Sequence, residues 1–167
     1  ELNRSARGPG FDFDMDVMGS QQVAMNRGKK SIAIDAHSKL GQRVLHELIK
    51  ESDIFVTNYR SEALERMSLD YERLRKLNDR LIYGRVSGFG PNGDDANKAM
   101  LDGAAQARGG LAAISGSADG PPMPPGAAIA DHSGAMQLTL GIMTALFARE
   151  RTGRGQEVNT SALGTMM

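Results

Sequence analysis

The residues best suited to do chemistry lie in Gly126-Ala127-Ala128-Ile129-Ala130-Asp131-His132-Ser133-Gly134, where one carboxylate, Asp131, stands among small neighbours. A proline-rich run, Gly120-Pro121-Pro122-Met123-Pro124-Pro125, leads in, and a long apolar run, 135–148, follows. An acid at such a junction has two readings. Asp is a leading helix N-cap, because its side chain accepts hydrogen bonds from the first free N–H groups of a helix. It can also act as a nucleophile: the positive end of the helix would keep it ionised, and the Gly and Ala neighbours leave room for a bulky substrate. Taken alone, the residue type favours the cap.

A second polar cluster, Asn58-Tyr59-Arg60, follows the apolar run 53–57. Asn offers a donor and an acceptor, and Tyr an aromatic face for a heterocycle. The alternative is an ordinary polar loop between a strand and a helix. Gly88-Phe89-Gly90-Pro91-Asn92-Gly93 has the literal spacing of a dinucleotide-binding loop. Pro91 inside it and Asp94-Asp95 behind it do not suit a pyrophosphate, which needs free helix N–H groups. It reads as a polar connecting loop. Asn26-Arg27-Gly28-Lys29-Lys30 reads as a solvated basic turn.

The elements that must position these residues follow from hydrophobic periodicity. Residues 1–30 show little of it, with isolated Phe11 and Phe13, and read as loop. The alternation over 31–35 predicts a strand. Ser38 can cap a helix running to about Glu51, with Leu40, Val44, Leu45, Leu48 and Ile49 on one face. The run 53–57 predicts a strand buried on both faces of a parallel sheet, completing a strand–helix–strand unit with a right-handed crossover. Asn58-Tyr59-Arg60 then falls at the carboxyl end of a strand, the edge where open α/β sheets bind ligands. Short helices are predicted over 61–67 and 71–78, the latter with Leu74 and Leu77 inward, and a strand over 81–87. Residues 100–113, rich in Ala and Gly, read as a helix with Asp102 as a plausible cap. The run 133–149 is the clearest helix, with Met136, Leu140, Met143, Leu146 and Phe147 as its core face. Arg149-Glu150-Arg151-Thr152-Gly153 ends it with basic residues and a glycine, and 156–160 reads as a final strand. The order predicts an α/β fold.

Composition narrows the function classes. The 167 residues suffice for one domain with a real core. Twenty basic and twenty acidic residues cancel, so nothing marks a general polyanion or nucleic-acid binder. With no cysteine, thiol catalysis, disulfides and zinc–thiolate sites are excluded, and the three histidines, His37, His46 and His132, are scattered along the chain. No secretory signal is visible, and the 135–148 run is too short to span a bilayer, so a soluble, cytoplasmic protein without membrane contact is the expectation. The chain starts without Met and stops in what reads as a helix opening, which marks it as a piece of a longer protein.

Several ordered segments together resemble the class III CoA-transferases of the CaiB/BaiF type, which include formyl-CoA and carnitine CoA-transferases. Residues 26–35 are similar to NRGKRSIxLD, 53–66 to ADVxxENFRPGxLER, and 78–90 to NPRLIYxSISGFG. Residues 150–156 are similar to ERTGRGQ, and 126–134 to the stretch that holds the catalytic aspartate. The resemblance implies an open, mainly parallel, Rossmann-like sheet flanked by helices. Residues 1–167 would be part of the large CoA-binding domain, without the family's N-terminal strand, Gly-rich loop and small C-terminal domain. It implies acyl-CoA and a free carboxylic acid as substrates, no permanently bound cofactor and no metal, and an interlocked homodimer of the full-length protein.

Residue by residue, the resemblance makes Asp131 the catalytic nucleophile. It places Asn58, Tyr59 and Ile34 beside the CoA adenine and Arg66 at its phosphates. His37 stands where a CoA-contacting lysine is common, and Lys98 is one step from the position of another. Ser61-Glu62 replaces the usual Pro-Gly. Related α-methylacyl-CoA racemases pair such an Asp with the His of a Gly-His-Asp segment. Here that segment is Met100-Leu101-Asp102, so the second base of that pair is missing. The implied activity is CoA transfer through a covalent aspartyl intermediate. The alternatives are an acyl-CoA racemase or isomerase, and an inactive CoA-binding fragment.

Overall fold

The computed structural model describes residues 24–167. These fall into two units, one within Glu1–Ile34 and one comprising Asp35–Met167. In the first, the basic turn forms as expected: Lys29 N–H donates to the Asn26 carbonyl at 3.2 Å, and Gly28 takes φ +73°. The loop reading of 1–30, with Phe11 and Phe13, lies outside the described residues up to residue 23. The strand expected over 31–35 is not found, and Ile32 is 65% exposed. Alternation supplies two faces but no hydrogen-bonding partner, and among the described residues this stretch pairs with no strand.

The second unit starts with α1 (Lys39–Lys50), capped as expected by Ser38, whose Oγ accepts from Gly41 N–H at 3.0 Å. The helix meets the core along Gly41, Leu45 and Ile49, while Leu40, Val44 and Leu48 stay exposed, so the expected apolar face is wider than the buried one. Next come β1 (Ile54–Thr57), α2 (Ser61–Arg66), α3 (Tyr71–Leu77) and β2 (Ile82–Ser87). Two short helices, α4 (Asp102–Arg108) and α5 (Leu111–Ile114), replace the single one expected over 100–113. The break is Gly109-Gly110, where Gly110 adopts φ +89°, a left-handed conformation that interrupts helix. Last are α6 (Ile129–Thr152), β3 (Glu157–Ser161) and a 3₁₀ turn, Gly164–Met166.

The strands form a parallel sheet in the order β1-β2-β3, with Ile54 opposite Ile82 and Tyr83 opposite Glu157. The fold is therefore α/β, with helices on both faces. On one face Ile49, Leu64, Leu74, Leu81 and Tyr83 pack together, and the Tyr83 hydroxyl donates to the Leu69 carbonyl at 3.0 Å. Burial pushes that phenol's pKa upward. On the other face α6 covers the sheet through Leu138, Ile142 and Ala145 against Ile82. Leu77 is exposed rather than inward, because α3 turns only Leu74 into the core. Among the described residues β1 is an edge strand, and its Val56 is 58% exposed, so it is not covered there on both faces as its composition implied.

α6 holds the largest departure. It starts at Ile129 and buries Ala130, Gly134, Leu138, Ile142, Ala145 and Arg149. Met136, Leu140, Met143 and Phe147, expected in the core, are each more than half exposed. Both sides of this helix are apolar, so periodicity alone cannot choose between them. The small-residue side fits closer. At Gly84 a Cβ would lie 2.8 Å from Ile142 Cδ1, and at Gly141 one would lie 2.6 Å from Val158 Cγ1. At the far end Arg149 is buried and donates to the Asp53 carboxylate at 2.8 Å and to the Arg80 carbonyl at 3.0 Å, pinning α6 to the amino ends of β1 and β2.

Gly155 passes over the backbone before β2, where a Cβ would fall 2.0 Å from the Leu81 carbonyl oxygen, whereas Gly103 in α4 has open space. Gly155→Ala is expected to destabilise the fold by about 1–3 kcal/mol or more, because backbone cannot yield as a side-chain tip can. Gly103→Ala should be neutral or stabilising by up to about 1 kcal/mol. Urea midpoints of the two variants against the parent chain check both signs.

Candidate functional site

The geometry of α6 sets the position of Asp131. The helix runs against the strands: its last turn meets the amino ends of β1 and β2, and its first turn packs Ala130 against Ala105 and Ala162, beyond the carboxyl end of β3. Asp131 is thus at the carboxyl edge of the sheet. It is the third residue of the helix, not its cap, since the helix opens four residues earlier than expected at 133. The residue in the capping position is Ala128, which has no side chain able to serve.

The capping role passes to Asp102. Its Oδ2 accepts from Asp131 N–H at 2.9 Å, and its Oδ1 accepts from Gln106 Nε2. Gln106 is 1% exposed and also donates to the Ala127 carbonyl at 2.9 Å, so it ties α4 to the chain entering α6. Asp102 therefore caps another helix than its own, where it is the first residue rather than the cap. The Asp131 side chain is left exposed and unengaged by the helix start.

These surroundings raise the Asp131 pKa above the ordinary carboxylate range. Partial burial is the main cause and the Asp102 charge the second, with His132 opposing. The expectation that the helix start would hold the acid ionised is therefore opposed, since the Asp131 N–H already answers a carboxylate. His132 itself is turned back on the helix, its Nδ1 2.7 Å from the Ala128 carbonyl.

Asn58 and Tyr59 follow β1 at the same sheet edge and line two hollows. One, about 440 Å³, contains Arg60, Glu62 and Arg66 as well. The other, about 250 Å³, contains Arg60, Arg85, Ser87 and Lys98, and reaches Met100 and Leu101, next to Asp102. The fold thus groups Asn58, Tyr59 and Arg66, and separately Asn58, Tyr59 and Lys98. Tyr59 is 57% exposed, leaving its ring face accessible. Arg66 is exposed, 4.0 Å from Glu62. Lys98 pairs with Asp95 at 2.5 Å, a bond that holds the Asp95 carboxyl below its usual pKa. His37 lines neither hollow. It lies in the turn before α1, its N–H donating to the Asp35 carboxylate. Ile34 is partly buried in the other unit.

The Gly88–Gly93 loop leads into no helix directly, since α4 begins only at Asp102. Gly88 instead lets Met100 approach, where a Cβ would sit 2.6 Å from Met100 Cβ. Asp102, Gln106 and Arg85 escaped the sequence reading as members of the site. The available signal for Arg85 was a charge in the middle of an apolar strand, and for Asp102 an acid opening a run of small residues. Among the described residues no group of three or more His, Asp or Glu could hold a metal ion, and no helix is long and apolar enough to cross a membrane.

The fold is an open parallel sheet with helices on both faces, and residues 6–167 match CoA-transferase family III: the chain belongs to that family. A formyl-CoA:oxalate CoA-transferase of Streptomyces coelicolor is 39% identical over 146 residues, covering 87% of this chain and 35% of the relative. An Escherichia coli formyl-CoA:oxalate CoA-transferase is 38% identical over the same span and share. The chain thus spans about a third of the length of these relatives. Among solved structures, a CaiB/BaiF family protein from Brucella suis superposes with TM-score 0.90 at 32% identity, covering 99% of this chain and 44% of that one. Rv3272 from Mycobacterium tuberculosis superposes with TM-score 0.79 at 25% identity, covering 84% and 39%.

A raised acid binds its proton more tightly folded than unfolded. Asp131 therefore contributes stability below its unfolded pKa, and that contribution is lost as pH rises through the higher folded pKa. Asp131→Asn is expected to melt above the parent chain at neutral pH, with the gap closing towards about pH 4. Melting curves at the two pH values test this, and a gap that widens on acidification would contradict it.

Proposed function

We propose that the parent protein moves CoA between an acyl-CoA thioester and a free carboxylic acid, with Asp131 as nucleophile. The observation carrying this reading is an exposed carboxylate on the first turn of α6 whose own N–H is held by Asp102. The helix start fixes its backbone while leaving its oxygens free. An Asp131 oxygen attacks the thioester carbon, the C–S bond breaks, and the CoA thiolate leaves behind an acyl-aspartyl anhydride. The thiolate then attacks the Asp131 carbonyl and expels the donor acid as its carboxylate, leaving an aspartyl-CoA thioester. An acceptor carboxylate reverses the sequence and departs as the new thioester. Each step exchanges one acyl bond for another, so no redox partner is needed, and covalent catalysis divides a difficult exchange into easier ones.

The raised pKa suits the role, because a more basic carboxylate is a stronger nucleophile once ionised. Backbone N–H groups would stabilise the oxyanions. In this reading Asn58 and Tyr59 hold the adenine. Arg66 meets the phosphates, and His37 and Lys98 are proposed as further CoA contacts. The names of the relatives support formyl and oxalyl groups as the first acyl pair to try. The parent protein would be an interlocked homodimer in the cytoplasm, and residues 1–167 part of its large domain.

Proton abstraction from the α-carbon of an acyl-CoA is the competing chemistry, favoured by the second carboxylate, Asp102, against Asp131. Deuterium exchange at that carbon, run beside a transfer assay, separates the two.

Asp131→Ala in the full-length protein is expected to abolish transfer, and with it any acyl or CoA adduct at residue 131 seen by mass spectrometry, while CoA binding persists. Retained activity in that variant would sink the mechanism. Arg66→Ala should weaken CoA binding by about tenfold, the loss of one or two charge-assisted hydrogen bonds, with little change in melting temperature because Arg66 is exposed.

A further inference from the structure

Arg85 lies in the middle of β2 with only 7% of its surface exposed, and its Nε and Nη2 are buried without a hydrogen-bond partner. A guanidinium carries five N–H donors and no acceptor, so each of its buried nitrogens needs an acceptor. Buried charges are normally paired, because an unpaired one keeps the full cost of leaving water, and an orphaned donor requires an explanation.

Two clefts adjoin it. One carries Glu65, Asp70, Glu72 and Glu157, none of which forms an ion pair with Arg85; Asp70 pairs with Arg73 and Glu72 with Arg75. The other is the 250 Å³ hollow at the carboxyl edge, whose lining includes Arg60, Arg85 and Lys98 and no carboxylate. Lys98 is already committed to Asp95.

We propose that Arg85 is the seat of an oxyanion pocket, closed around by Asn58, Tyr59, Arg60 and Ser87. Its ligand is either a phosphate of the CoA thioester or the carboxylate of the acid partner. Both present a pair of anionic oxygens on one centre, which the guanidinium fork engages in two parallel hydrogen bonds. The incoming anion supplies the partner that the folded chain withholds. The inference rests on the CoA-transfer reading for the identity of its ligands, but not for the existence of the pocket.

The test is calorimetric titration of the full-length protein with CoA, dephospho-CoA and oxalate, comparing the parent with Arg85→Gln and Arg85→Lys, each with a melting curve. Arg85→Gln is expected to weaken its ligand by about tenfold or more, and Arg85→Lys by less, since it keeps the charge and loses the fork. Loss confined to CoA assigns a phosphate, and the 3′-phosphate in particular if dephospho-CoA binds parent and variant alike. Loss confined to oxalate assigns the acid. Arg85→Gln should melt at or above the parent, because it removes an orphaned charge. A variant that melts lower and binds every probe like the parent would make Arg85 a structural ion and overturn the pocket, leaving the CoA-transfer reading intact. Arg85-dependent oxalate binding in a chain that binds no CoA would support the pocket and overturn the CoA reading. No binding of any probe by the parent would overturn both.

Discussion

The close seating of α6 on the sheet governs where everything else can be. With no side chain at Gly84 and none at Gly141, the helix approaches β2 and β3 to within a methyl group's reach. Arg149 fixes its other end to the amino side of the strands through Asp53 and Arg80. A rigid helix held at one end and along its length has no freedom left at the other. Its first turn, with Asp131, must then come out beside the carboxyl ends of β2 and β3. The loop after β1 brings Asn58 and Tyr59 to that same edge, which is how residues far apart in sequence come to share one face of the molecule.

Upon that frame the Asp102–Asp131 contact adds a finer adjustment. One carboxylate satisfies the N–H of the residue carrying the other, so the two acids are close without either neutralising its partner. Gln106 keeps the arrangement in place from beneath, buried and donating to both Asp102 and Ala127. The result is a helix start whose positive end is partly spent on a neighbour, next to an acid that partial burial, and after it the Asp102 charge, make harder to ionise.

The alternation of elements was legible from the residues, because Ser38, the short apolar strands and the glycine after Thr152 carry local signals for starts and stops. The faces were less so. In α6 two apolar sides compete, and the winner is the one bearing Ala and Gly, which a count of large hydrophobics ranks last. Residues 31–35 alternate properly yet need a neighbouring strand that local sequence cannot supply. For the site, Asp131 stood out by type and setting, while Asp102 and Arg85 did not, because their roles depend on contacts made across long separations in sequence. Family resemblance supplied the family, which spacing could not, and the match to family III bears out that assignment.

The outer face of α6 has a further meaning for the chain in solution. Met136, Leu140, Met143 and Phe147 form an exposed apolar band along about three turns, and Arg151, 4.4 Å from the Phe147 ring centroid, covers part of it. The sequence as a whole carries no net charge, with an isoelectric point near 7.1. Long-range repulsion that would keep copies of the chain apart is thus weakest near neutrality, where this band offers the most adhesive surface. Colloidal behaviour is set by the coincidence of the two, and moving the buffer a unit or more from the isoelectric point is the simplest way to separate them.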